Sequence, residues 1–166
     1  MSIKVQNFAK IITNPLNVHN FVVKIEGVDL GFDLLVRSTT FPSEEKRVVV
    51  LHVAGEEVRY PTIPKNNGSW AFQIPENDDG KIYQIFKNLS DEIYDQKIGQ
   101  IKSTSLKDIE IFARDLQDNV VFSTVLKGAW IQSRGEVALS NQDPAQNWNW
   151  DFKFVYQWIQ DNEPKK

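Results

Sequence analysis

Trp148-Asn149-Trp150-Asp151-Phe152-Lys153-Phe154-Val155-Tyr156 places a large aromatic residue at every second position over nine residues. A period of two is that of a β-strand with one buried face. Asn149, Asp151, Lys153 and Val155 fall on the other face. Nothing in the stretch is spaced for chemistry; its rings are spent on architecture.

Working outward, the same grammar repeats. Residues 21–25 alternate (Phe21, Val23, Ile25), and residues 30–37 read as a second strand pairing with them as a hairpin. Residues 38–47 read as a loop around Phe41-Pro42. Residues 48–53 form an apolar run, Ala54-Gly55-Glu56 a turn, and residues 57–60 the return strand. Pro61, Pro64 and Gly68 mark a further loop. Trp70, Phe72 and Ile74 alternate again. Residues 106–114, 120–126, 129–133 and 148 onward complete a count of about eight or nine strands.

One segment has the other period. Ile82, Phe86, Leu89 and Ile93 fall at steps of four, three and four, an apolar face of a helix over about residues 80–94, with Asp78 or Asp79 as N-cap. Residues 95–106 read as a polar connection. The expected fold is mostly β: an antiparallel β-sandwich or barrel with one flanking α-helix. Its expected core holds Trp70, Phe72, Phe86, Trp130, Trp150, Phe152 and Phe154. Residues 1–17 read as an N-terminal arm, 18–158 as the single domain, and 159–166 as a charged tail.

Composition narrows the function. The 166 residues are 41% hydrophobic and 25% charged, with no cysteine and a net charge of −3. Thiol catalysis, thiolate metal sites and disulfides are thereby excluded. The basic footprint of a phosphate-gripping protein is missing. No apolar run reaches the ~18 residues of a membrane span. The polar residues 1–7 lack the hydrophobic stretch of a signal peptide.

The residue types that carry catalysis do not assemble. His19 and His52 have no metal-ligand neighbours at typical spacing. The acidic clusters at 44–45, 56–57, 76–79 and 91–92 single out no glycosidase pair; loops and helix capping account for them. Neither a glycine-rich phosphate loop nor a Gly-x-Ser-x-Gly elbow occurs. The reading is non-enzymatic, with no cofactor and no metal.

One pattern exceeds an ordinary domain. Val48-Val49-Val50-Leu51-His52-Val53 makes both faces of a hairpin apolar, where a small domain normally keeps one face wet. Such a ribbon is either core or covered by another chain. The candidate contact residues are Val48, Val50, His52, Val53, Glu57 and Arg59.

Three blocks, in order over about residues 20–158, resemble the tail tube proteins of contractile phages. The first runs from Arg37 through Thr39-Thr40-Phe41-Pro42, the valine-rich strand, Gly55 and Pro61 to Trp70. The second is Asn77-Asp78-Asp79-Gly80 and the helix bearing Phe86. The third is Lys127-Gly128-Ala129-Trp130, then Gly135-Glu136-Val137-Ala138-Leu139, then the aromatic strand. Residues 1–17 lie outside the resemblance.

The resemblance implies a β-barrel subunit with a flanking helix. It implies hexameric rings that stack into the inner tube of a contractile tail, a virion structure assembled in the bacterial cytoplasm. The lumen would pass DNA and a tape-measure protein. The partners would be a sheath protein and the baseplate initiator and terminator proteins, with no membrane. Tubes of pyocins, contractile injection systems and type VI secretion are related alternatives. A carbohydrate-binding sandwich using exposed tryptophans and a small β-barrel enzyme are the competing classes.

Overall fold

A computed structural model of the chain describes residues 21–28, 36, 38–66, 68–95, 99–101, 105–141 and 147–162. In chain order its strands are β1 (Phe21–Ile25), β2 (Ser38–Thr39), β3 (Glu44–Val53), β4 (Glu56–Asn66), β5 (Ser69–Pro75), β6 (Tyr94–Asp95), β7 (Gln100–Ile101), β8 (Lys107–Arg114), β9 (Val120–Arg134), β10 (Asn149–Val155) and β11 (Trp158–Asn162). Helix α1 spans Lys81–Ile93 between β5 and β6. The fold is mostly β, in antiparallel sheets, with a single helix among the described residues.

The main sheet runs β1-β8-β9-β10-β5-β2, with β11 also on β9. Strand β9 carries this order because it is long enough to serve two neighbourhoods. Its first half pairs with β8 on one side and β11 on the other; its second half pairs with β10. Between the halves sits Gly128, at φ 62°. Lys107 opposes Ala129 while Ile109 opposes Leu126, so β9 holds one extra residue there, a β-bulge. Asp108, opposite the bulge, accepts hydrogen bonds from Lys127 Nζ at 2.6 Å and the Gly128 amide at 3.3 Å. Across the other edge, β10 gives way to β11, and the Gln157 amide donates to the Lys127 carbonyl at 3.0 Å.

The inner face is one cluster of buried residues drawn from β1, β5, β8, β9 and β10 and from α1, with Val36 and Tyr156 beside them. Val23, Ile25, Ile109, Ile111 and Leu126 come from the β1-β8-β9 wing; Trp70, Phe72, Ile74, Trp150, Phe152 and Phe154 come from the β5-β10 wing. Register aligns the aromatic residues: Phe152 opposes Phe72, Phe154 opposes Trp70, and Trp150 opposes Ile74. Helix α1 seals this layer. Phe86 stacks on Phe152 with centroids 4.1 Å apart, and Ile82 and Leu89 are buried beside it.

The entry to α1 is held by Glu76. Its Oε1 accepts hydrogen bonds from the amides of Asn77 and Ile82 at 2.9 and 3.1 Å; its Oε2 accepts from the Tyr83 amide at 2.8 Å and from Trp150 Nε1 at 2.7 Å. The expected cap at Asp78 or Asp79 is therefore corrected. The N-cap position is Gly80, Asp79 reaches only the Lys81 amide at 3.2 Å, and a residue four positions before the cap satisfies two first-turn amides.

Other expectations shift for physical reasons. Residues 120–126 and 129–133 are one strand, because the bulge bends the chain without breaking its pairing. Trp130 is half-buried and lies outside the core cluster: the bulge hands the inward position to Ala129. Trp148 precedes β10 and is largely exposed. Residues 38–47 are not wholly loop, since β2 and the start of β3 lie there. Pro61 and Pro64 fall inside β4; a two-stranded ribbon consists of edges, where a missing N–H is tolerated. Residues 158–162, mostly placed in the tail by sequence, form β11. Strand β1 pairs with β8; its expected partner at 30–37 lies outside the described residues save for Val36.

Two substitutions test these joints. Gly128→Ala places a Cβ 3.0 Å from the Gln157 side chain and forces a non-glycine residue into left-handed backbone. It should cost roughly 1–3 kcal/mol in chemical denaturation. Glu76→Gln substitutes a donor for one acceptor facing amide and indole N–H groups, and should cost about 1–3 kcal/mol in the same measurement.

Candidate functional site

The hairpin β3–β4 pairs with itself and with no other strand among the described residues. From Glu45 to Pro61 every residue is exposed except the half-buried Val58. Leu51 is 48%, Tyr60 50% and Val53 57% exposed, values proper to polar residues in a soluble surface rather than to a run of aliphatic ones.

Register sorts the ribbon into two unlike faces. Val53 opposes Glu56, Leu51 opposes Val58, and Val49 opposes Tyr60. Directly opposed residues share a face, so Val49, Leu51, Val53, Val58 and Tyr60 form one apolar surface. On the other face His52 opposes Glu57, Val50 opposes Arg59, and Val48 opposes Pro61. Arg59 Nε donates to Glu57 Oε1 at 2.7 Å on that face. Both partners are open to water, so the pair contributes little to stability.

Of the six contact residues named from sequence, five (Val48, Val50, His52, Glu57 and Arg59) lie on this mixed face. Val53 lies on the apolar one, with Val49, Leu51, Val58 and Tyr60, which sequence reasoning missed. The signal was present in the turn. Assigning Glu56 to the turn shifts the register by one residue and moves Val58 and Tyr60 to the face of Val48, Val50 and His52.

The turn itself has two residues, Ala54 at φ 53° and Gly55 at φ 87°. Positive φ at both central positions is the mark of the type I′ hairpin, which normally takes Asn-Gly.

The root of the ribbon is braced against the main sheet. Trp70 Nε1 donates to the Thr40 carbonyl at 3.0 Å, and Thr39 Oγ1 donates to the Ala71 carbonyl at 2.9 Å. Phe41 meets Phe122 edge-on, centroids 5.4 Å apart. The ribbon thus leaves the domain from a fixed root on both wings.

Strand edges form the second exposed feature. Among the described residues β1 pairs only with β8, β2 only with β5, and β11 only with β9. Unpaired edges are ready-made joints for another chain.

Two carboxylates are lowered in pKa by their own local partners. Asp115 is held below the usual carboxylate range by hydrogen bonds from Asn119 first and Gln117 second. Asp79 is lowered chiefly by Lys81. Both shifts are opposite to the raised carboxyl of a general acid. Burial pushes the Tyr156 phenol up, with the Gly68 backbone opposing it. Among the described residues no three of His, Asp and Glu gather into a metal-holding group. No described helix is long and apolar enough to cross a membrane. His52 is exposed on the ribbon; His19 lies outside the described residues.

No family model matches the chain, and no curated protein matches it in sequence. Solved structures do match its fold. A chain of the six-fold symmetrised cryo-EM structure of the anti-feeding prophage (AFP) baseplate superposes with a TM-score of 0.69 at 14% identity, over 90% of this chain and 97% of that one. A chain of the AFP tube-terminating cap gives 0.69 at 10% identity, over 90% and 92%. A chain of the sheath–tube complex of PVC, an extracellular contractile injection system, gives 0.68 at 10% identity, over 92% and 94%. The fold is therefore that of chains found in the tube, baseplate and cap assemblies of contractile injection machines. It covers nearly the whole of each.

Ala54→Asn tests the turn. It should stabilise the hairpin by about 0.5–1 kcal/mol by suiting left-handed backbone better than alanine. Slower amide hydrogen exchange across β3 and β4, with no change in the β10 amides, is the expected result.

Proposed function

We propose that this chain is a structural, non-enzymatic tube subunit. Copies join edge to edge into rings of six, the rings stack, and each β3–β4 ribbon lays its apolar face on a neighbouring copy. The observation that carries this reading is the ribbon: five apolar side chains held out on one face from a braced root, on a fold shared with tube-assembly chains. Burying that face withdraws Val49, Leu51 and Val53, 41–57% exposed, from water. Six-fold symmetry is supported by the symmetry of the AFP baseplate.

The tube serves as the inner tube of a contractile phage tail, a conduit for DNA and a tape-measure protein. It is wrapped by a sheath and bounded by initiator and terminator proteins. A net charge of −3 suits such a channel, since nothing in the composition favours gripping phosphate. The tail belongs to the virion and is assembled in the host cytoplasm. A second reading is favoured by the matched structures, which come from AFP and PVC: the same tube, built into an injection machine.

Negative-stain electron microscopy of concentrated protein should show six-fold rings or hollow tubes. Leu51→Asp should leave a soluble, folded monomer and abolish them. Val50→Asp, on the mixed face, should also stay soluble and should weaken assembly less. A monodisperse wild-type monomer under all conditions, or assembly indifferent to Leu51→Asp, contradicts the reading.

A further inference from the structure

The second half of β9 offers a site apart from the ribbon. On one side it pairs with β10 through Trp130, Ile131, Ser133 and Arg134. On the other side β8 accompanies β9 only to Ala129. Among the described residues no strand pairs with the free side of 130–134. Helix α1 runs beside that side, leaving a groove of about 430 Å³ between them. Phe86, Phe152 and Ile131 line its apolar part, and Ser90, Ser133 and Arg134 its polar part.

Arg134 gives the groove its sign. Its guanidinium lies 4.7 Å from the Tyr83 ring centroid and 5.2 Å from that of Trp150. Stacking on two rings fixes the plane of the fork and leaves its N–H edges to bond outward. Lys87 is paired with Asp91 at 2.8 Å. Among the described residues no carboxylate forms an ion pair with Arg134.

We infer that this groove accepts an extended peptide segment of a partner protein. The segment adds as a strand to the free edge of β9, sets an apolar side chain against Ile131 and Phe86, and places a carboxylate on Arg134. A free strand edge supplies backbone hydrogen bonds, and a flanking helix supplies the pocket wall, the two elements of recognition by strand addition. Charge complementarity selects an acidic segment. Residues 1–20 of this chain contain no Asp or Glu and so lack the matching group.

The test uses ¹⁵N-labelled full-length protein and an acetylated, amidated heptapeptide of threonine and valine with one central aspartate. The expected result is saturable shifts of the amides at 130–134 with a Kd below about 1 mM. Arg134→Gln, and separately asparagine in place of the peptide aspartate, should each weaken binding at least fivefold. Methylating alternate peptide nitrogens should abolish it. Lys153→Gln, removing a cation from the opposite face of β10, should leave binding unchanged. Absence of shifts at 130–134, or binding that survives both Arg134→Gln and N-methylation, overturns the assignment. Amides at 130–134 already protected in peptide-free protein that sediments as rings assign the groove to a second copy, and overturn it equally.

Discussion

The architecture depends on one strand turning a corner without losing its ladder. Strand β9 must serve the β1-β8 wing and then the β10-β5 wing, and it does so by absorbing one extra residue at Gly128. A bulge bends and twists a strand while its neighbours continue to pair. Asp108 and Gln157 take up polar groups of Lys127 and Gly128 where the regular ladder lapses. With the corner made, both wings direct their apolar faces at one core, and α1 closes it over Phe152.

The domain and its ribbon follow opposite rules. In the domain, alternation buries every second residue, and the aromatic rings of β5 and β10 are aligned by register. In the ribbon, no side chain from Glu45 to Thr62 is fully buried. Its apolar face has the composition of a core and the accessibility of a surface, a combination that favours association. The root contacts at Thr39, Thr40 and Phe41 connect the two regimes. They fix the direction in which the ribbon leaves the domain.

Much of this was legible from residue period alone. The strands at 21–25, 69–75, 107–114 and 149–155 and the helix at 81–93 show their period openly, because each buries one continuous face. The exceptions have causes that carry no period: a polar contact between distant residues, a bulge, the length of a turn. Glu76 reads as part of an acidic turn, and only the fold brings it to the Trp150 indole. Trp130 reads as core until the bulge exchanges it with Ala129. The site was legible as a segment and not as a surface. An apolar run announced the ribbon, but which residues share a face depends on whether the turn holds two residues or three. The edge of β9 at 130–134, unpaired among the described residues, had no local signal, since an edge is defined by strands that are elsewhere in the sequence.

The order of the chain also imposes an order in time. Strands β3 and β4 are joined by a two-residue turn and meet only each other, so their contacts are local and of the kind that form in about 1–10 μs. Strand β10, which β5 and β9 both require, lies some 80 residues further along. During synthesis at roughly 5–20 residues per second, the residues of the aliphatic ribbon are therefore all made several seconds before the main sheet in which it is rooted can be completed. For that interval the apolar ribbon exists without the body that gives it direction.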